Sequence, residues 1–254
     1  LSTIDDIGYG RQFSDWYDRV FPRDDAARLT AQRLAELHSA PGTASLELGV
    51  GTGRIAIALA ALAGPVTGVD SSREMLDVLA REAESAGVAV TGVLGDIRRR
   101  TGEDTFGLVY CVCATLSMLL TTEEQRAAVT HAAARLAPGG RLVIETHNPD
   151  AVLELHDGHR RTSYFIPYPE PGTGLQTYST LVPESGLWQV SHIWHEQDGT
   201  SRVGTEASRL TTPDEVDAYA TAAGLSPVGR WADWAGTPWD ARSAMVVSVY
   251  ERAA

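Results

Sequence analysis

Residues 44–54, Ala-Ser-Leu-Glu-Leu-Gly-Val-Gly-Thr-Gly-Arg, constrain this chain more than any other stretch. An apolar strand over 44–48 runs into glycines at alternating positions, Gly49, Gly51 and Gly53, and an apolar helix follows at once over 54–63. Residues without a Cβ turn sharply and let a ligand approach the backbone. Such a turn also presents free N–H groups at a helix N-terminus. Open α/β sheets bind ligands beyond the carboxyl ends of their strands. The stretch therefore predicts an α/β fold with a nucleotide-like ligand over this turn.

The dinucleotide fingerprint G-x-G-x-x-G would place its third glycine at position 54, where this chain has Arg54. Glu47 stands just before the turn. A carboxylate there repels a pyrophosphate and welcomes an ammonium group, which favours a cofactor with an amino-acid head and no phosphates. A structural tight turn and a NAD site are the competing readings of this stretch alone.

Beyond the turn, apolar strands alternate with helical patterns. Strands are expected at 65–69, 88–94, 106–112 and 141–146, and helices at 71–86, opened by Ser71-x-x-Glu74, and at 122–136, opened by Thr122-x-x-Gln125. This alternation implies a parallel sheet covered on both faces. Before it, Asp24 or Asp25 caps a helix reaching about His38. From Asn148 the pattern changes. Segments 163–166, 175–182, 187–196 and 201–210 read as strands joined by hairpin turns, a small antiparallel sheet inserted into the α/β unit. Thr212-Pro213-Asp214-Glu215 opens a last helix, and 227–233 and 244–251 form two final strands.

Glu-Leu-Gly-Val-Gly-Thr-Gly-Arg resembles the first motif of class I S-adenosylmethionine (SAM) methyltransferases, and the terminal pair of strands resembles the closing hairpin that separates their fold from NAD folds. The resemblance implies a Rossmann-like seven-stranded methyltransferase sheet with a C-terminal antiparallel hairpin. It implies three parts: residues 1–40 as a helical lid, 41–147 with 211–254 as the SAM-binding domain, and 148–210 as a substrate cap or dimer face. Within the family the chain is similar to bacterial natural-product N-methyltransferases that act on amino sugars or on peptide N-termini.

Asp70 ends the second strand about 20 residues past the turn, where a carboxylate accepts both ribose hydroxyls. NAD enzymes share that geometry. The resemblance places Glu47, Gly49, Gly51, Gly53, Asp70 and Ser71 against the cofactor's amino-acid and ribose parts. It places Gly95, Asp96 and Ile97 at the adenine, and Val112 and Cys113 beside the methionine amino group and reacting methyl. Met75 covers the adenine or fills core. The aromatic N-terminal segment, with Tyr9, Phe13, Trp16, Tyr17 and Phe21, has the spacing of packing residues. The resemblance adds a lid through which Tyr9 and Tyr17 meet cofactor and substrate.

Methyl transfer requires a positioned nucleophile, excluded water and sometimes a base. An amine needs only to be neutral, whereas a hydroxyl needs a base, for which His147 is best placed; O- or C-methylation with His147 or Tyr17 as base is the rival to N-methylation. His192 and His195 follow as substrate contacts; three apart on one strand, they point to opposite faces. His131, in an alanine-rich helix, reads as structural. Residues 236–243, Gly-Thr-Pro-Trp-Asp-Ala-Arg-Ser, resemble the last loop of the peptide-modifying group and imply substrate contacts by Trp239 or Arg242. The tryptophans of the C-terminal half line an apolar pocket or a packing surface, including a homodimer face. A SAM-binding cyclase or binding module without methyl transfer is the remaining alternative.

The balance of charge bears on partners. The 254 residues carry a net charge of −12 and no lysine, with compact basic runs only at 98–100 and 160–161. A phosphate-neutralising surface needs clustered positive charge, so nucleic acid is disfavoured and a small molecule or short peptide is expected. No apolar run approaches the roughly 18–20 residues of a membrane span, and the first residues have no basic leader, so a cytoplasmic address is expected. The two cysteines, Cys111 and Cys113, lack companions for a zinc site, and no metal is expected.

Overall fold

The computed structural model describes residues 8–40, 42–99 and 102–254. The first seven residues of the expected lid and Arg100 of the basic run lie outside the described residues. The chain opens with two short helices, α1 (Tyr9–Phe13) and α2 (Tyr17–Val20), and a longer one, α3 (Asp25–Leu37), capped by the Asp24 side chain. Strand β1 (Ser45–Leu48) leads through the glycine turn to α4 (Ala56–Ala63), and β2 (Val66–Asp70) leads to α5 (Arg73–Ala86). Then come β3 (Val90–Leu94), β4 (Phe106–Cys111), α6 (Thr122–Ala134), β5 (Leu136–His147) and α7 (Pro149–His156). Four strands follow: β6 (Arg161–Pro167), β7 (Gly174–Val182), β8 (Leu187–His195) and β9 (Ser201–Arg209). Helix α8 (Pro213–Ala222), β10 (Leu225–Trp231) and β11 (Met245–Arg252) close the chain.

Seven strands form one sheet in the order β10-β11-β5-β4-β1-β2-β3, with β11 antiparallel to both neighbours. The other four form a separate antiparallel sheet, β6-β7-β8-β9. Strand β4 shows why the large sheet is double-faced. Leu108 and Tyr110 pack with α3, α4 and α5 on one side, whereas Val109 and Cys111 pack with α6 and α8 on the other. All six β4 residues are buried, which is why the strand reads as a continuous apolar run. Strand order reverses between β1 and β4, and their carboxyl ends open there.

Two helix starts lie one residue from their expected places, each for a local electrostatic reason. The Asp70 carboxylate accepts the Ser72 amide at 2.9 Å, so Ser72, not Ser71, is the cap of α5 and accepts from Met75 N–H. Thr121, not Thr122, caps α6, because Glu124 completes a reciprocal capping box. Gln125, the expected cap partner, is fully buried and donates instead to the carbonyls of Leu116 and Leu119. Strand β5 also begins earlier than expected. Phe106 pairs with Leu136 and Leu108 with Arg141, so Pro138-Gly139-Gly140 is an irregularity inside the strand and not a turn before it.

Helices α1 and α2 are wedged between the glycine turn and the four-stranded sheet. Phe13, Trp16 and Val20 pack with Met75 on α5 and with Leu175 and Trp194 on the small sheet. Polar ties hold both sides: the Thr52 hydroxyl donates to Asp18 at 2.6 Å, and the Thr205 amide donates to Gln12 at 3.0 Å. A Cβ added at Gly204 would fall 2.2 Å from the Phe13 ring, so only glycine admits this approach of α1 to β9.

Candidate active site

The carboxyl ends of β1, β2, β4 and β5 surround a cavity of about 400 Å³, roofed by α1 and α2. That volume lies within the roughly 300–1,000 Å³ range of small-ligand sites. The glycine turn forms its floor. Gly49 and Val50 donate their amides to the Val69 carbonyl at 2.8 and 3.1 Å, which pins the turn to β2. Gly51 takes φ 55°, and a Cβ built there would meet nothing within 4 Å. The turn thus leaves a bare backbone surface that a ligand can reach.

Asp70 is locked in place by two amides. Gly51 N–H donates to Oδ2 at 2.8 Å and Ser72 N–H to Oδ1 at 2.9 Å. A carboxylate oxygen accepts more than one hydrogen bond, and a pair of oxygens so fixed at the cavity suits two vicinal hydroxyls. Glu47 is buried, and its Oε2 accepts from the Tyr110 hydroxyl at 2.9 Å. Burial pushes its carboxyl up to about 8, against the opposing pull of Tyr110 and the Arg54 guanidinium.

Arg54 reaches the cavity from the far side of the turn. One guanidinium nitrogen lies 2.8 Å from Cys113 Sγ, while its buried Nε has no hydrogen-bond partner among the described residues. Cys113 and Ala114 both adopt left-handed backbone, at φ 54° and 57°. Such conformations cost about 1–3 kcal/mol each and persist where the surroundings enforce them. Here Glu145 enforces the turn: its Oε2 accepts the Cys113 amide at 2.6 Å and its Oε1 accepts Trp234 Nε1–H at 2.7 Å. The Cys113 side chain opens to the cavity, and burial pushes its thiol up to about 11, so it stays protonated.

At the other end, Asp96 meets Arg98. Burial works against its ionisation, but the Arg98 side chain and amide, each 2.9 Å from Oδ1, hold the carboxyl below its ordinary value. His147, at the end of β5, makes an edge contact with the Trp188 ring at 4.8 Å. Burial lowers its pKa, leaving a neutral imidazole facing the cavity at pH 7.

A model of the methyltransferase domain matches residues 46–140, the stretch from β1 to β5. The cypemycin N-terminal methyltransferase of a Streptomyces species is 31% identical over 212 residues, covering 83% of this chain and 84% of that protein. The chain belongs to the SAM-dependent methyltransferases. The CcbJ methyltransferase of Streptomyces caelestis has a similar structure, with a TM-score of 0.85 at 33% identity over 98% of this chain and all of that one. CalS10, an amino pentose methyltransferase from Micromonospora echinaspora solved with SAM bound, shares the fold with a TM-score of 0.66 at 22% identity, covering 98% of this chain and 99% of that one.

The residues of this methyltransferase fit that cofactor. The Gly51 surface and the paired Asp70 oxygens suit a ribose, and the orphaned Arg54 Nε suits a carboxylate such as the methionine end carries. Tyr9, Tyr17, Glu47, Gly49, Gly51, Asp70, Ser71, Met75, Gly95, Asp96, Ile97, Val112, Cys113 and His147 all line the one cavity. Burial raises the pKa of Tyr17 above the ordinary phenol value, so it enters as a hydroxyl.

Five expected site residues lie elsewhere. Gly53 faces away from the cavity, where a Cβ would strike Leu79 of α5 at 2.2 Å. His192 stands behind the cavity wall, and His195, on the other face of β8, meets the Ser201 hydroxyl. Trp239 lies under the Arg230 guanidinium at 5.6 Å, and Arg242 is exposed on a turn closed by Asp240 and Ser243. The β10–β11 loop does reach the cavity region, but through Trp234, which holds Glu145.

The lining residues that sequence reasoning did not place in the site include Arg54, Glu145 and Glu206. Arg54 was weighed only as a departure from a glycine fingerprint. Glu145 carried a usable signal, since it stands two residues before His147 and shares its face of β5. Glu206 carried none, because its position depends on how the small sheet docks.

Proposed function

We propose that this methyltransferase methylates an amine nitrogen of a small natural product or short peptide in a bacterial biosynthetic pathway. SAM, when bound, supplies an electrophilic methyl group on a sulfonium. His147 is the observation that carries the choice of nitrogen. It is a buried imidazole with a lowered pKa, and among the described residues it makes no hydrogen bond to a carboxylate. Such a ring is a weak base. An amine attacks through its own lone pair once it is neutral and asks little of a base, whereas an alcohol must give up its proton, for which this ring is poorly suited. Tyr9 and Tyr17 are held as phenols by burial, so neither supplies a stronger base. The cypemycin enzyme is named for a peptide N-terminus and CalS10 for an amino pentose, both amine-bearing acceptors.

In this reading, Asp70, Glu47 and Arg54 hold the cofactor's ribose and amino-acid ends. Residues 1–40 act as a lid that excludes water, and the sheet within 148–210 caps the acceptor. The test is turnover with SAM on free-amine peptides, amino sugars, and their N-acetylated and hydroxyl counterparts. S-adenosylhomocysteine should form in step with a methylated amine, and N-acetylation should abolish it. Turnover confined to hydroxyl or carbon acceptors would overturn the proposal.

A further inference from the structure

A second hollow, a groove of about 600 Å³, adjoins the cavity on the side of β8 and β9. The two share Tyr9, Arg98, Met118, Leu119 and Glu206 as common walls. These residues form a throat leading from the groove towards the cofactor cavity. Glu206 is the carboxylate that the small sheet contributes to it.

Glu206 is held from behind by a chain of hydrogen bonds. Thr177 on β7 is fully buried, and its hydroxyl lies 3.3 Å from His192 Nδ1. His192 Nε2 lies 3.2 Å from Glu206 Oε1. In this arrangement Nε2–H donates to the carboxylate while Nδ1 meets the Thr177 hydroxyl. The Phe13 ring of α1 stands edge-on to His192 at 6.1 Å, so the roof also buttresses the chain. Thr177 has no access to any ligand, so this hydroxyl–imidazole–carboxylate series is not a hydrolytic nucleophile. It is a support that fixes one oxygen of Glu206 and leaves Oε2 without a partner among the described residues.

The half-buried carboxylate thus stands oriented, with one oxygen to spare, at the junction of the cavity and the groove. Its charge reaches across the cavity: after burial, it adds to what keeps Tyr9 and Tyr17 protonated and favours the proton on His147. An incoming alkylammonium would donate to the open oxygen and bring a charge of opposite sign to the carboxylate. We propose that Glu206 is the acceptor's ammonium-binding residue, with His192 and Thr177 as positioning residues, and that the acceptor's body lies in the groove. This assignment rests on the amine-acceptor reading above and names the part of the site that would recognise the amine.

The test needs no knowledge of the acceptor. Two S-adenosylhomocysteine analogues with nitrogen in place of sulfur are titrated, one bearing a 2-aminoethyl arm and the other a propyl arm. In the wild-type protein the ammonium arm should bind roughly ten- to a hundredfold more tightly than the propyl arm, the range of a charge-assisted hydrogen bond. Glu206→Gln should bring the ratio near one while leaving S-adenosylhomocysteine affinity unchanged, Glu206→Asp should retain part of it, and His192→Gln should weaken it. Equal ratios in wild type and Glu206→Gln, no preference in the wild type, or an equal loss of S-adenosylhomocysteine binding would each overturn the assignment. Failure here with methylated amines in the turnover screen removes the role of Glu206 alone. A confirmed ammonium preference with only hydroxyl turnover removes the amine reading and leaves the subsite.

Discussion

Glu47 should make cofactor affinity depend on pH. Its carboxyl is pushed up to about 8 by burial, while the cofactor's ammonium is best answered by the ionised form. At pH 7 the protonated form then outweighs the carboxylate about tenfold, and a ligand requiring the carboxylate loses about tenfold in affinity, or about 1.4 kcal/mol. At pH 6 the loss is about a hundredfold. S-adenosylhomocysteine affinity should therefore rise about fiftyfold between pH 6 and pH 8, with close to one proton released per ligand at pH 7. Calorimetric titration in two buffers of different ionisation enthalpy measures both quantities. Glu47→Gln keeps an acceptor for Tyr110 but does not titrate, so any pH dependence it retains belongs to the ligand or to other groups. The same shift acts on the free protein. A carboxyl whose folded pKa exceeds its unfolded value of 4.5 binds more protons in the folded state between the two, so its stabilising contribution falls as pH rises from about 4.5 to about 8. Unliganded Glu47→Gln should gain on the wild type in thermal stability across pH 6–8, and S-adenosylhomocysteine should narrow or reverse that gain. An affinity that changes less than about threefold over this range, with no proton released, would refute the reasoning.

Other perturbations probe the remaining parts. Asp70→Ala strands the Gly51 and Ser72 amides, so it should cost about 1–3 kcal/mol in a urea melt and abolish measurable S-adenosylhomocysteine binding. Gly204→Val drives a side chain into the Phe13 ring, an overpacking worth about 1–3 kcal/mol, and should raise amide exchange over α1 and α2 while lowering kcat/KM. The lowered pKa of His147 in the free protein places its acid limb of kcat/KM below 6.5, with activity lost as pH falls through it, and that limb should vanish in His147→Asn.

Where sequence reasoning succeeded, a local physical rule governed the outcome. The glycine turn, the acid before it and the aspartate ending β2 are bound to one another by short-range backbone geometry, so their grouping in one cavity was legible from spacing. Strand-forming stretches set off by hairpin-turn residues placed the four strands of the small sheet to within about two residues. Where reasoning missed, competing local choices or distant contacts decided. Thr121 displaced Thr122 because Glu124 answers it, and Trp234 displaced Trp239 because Glu145 lies within its reach.

The sequence by itself determined the double-wound sheet and its glycine floor, because apolar periodicity and turn chemistry act over a few neighbouring residues; the cofactor class followed from the resemblance of residues 47–54 to a known family motif. Only the tertiary structure decided which side chains complete the cavity. Arg54, Glu145 and Glu206 come together across the turn, β5 and the small sheet, and burial sets the protonation of Glu47, Tyr17 and His147. Those properties depend on the dielectric surroundings and charges that packing assembles from distant segments, and spacing along the chain carries no record of them.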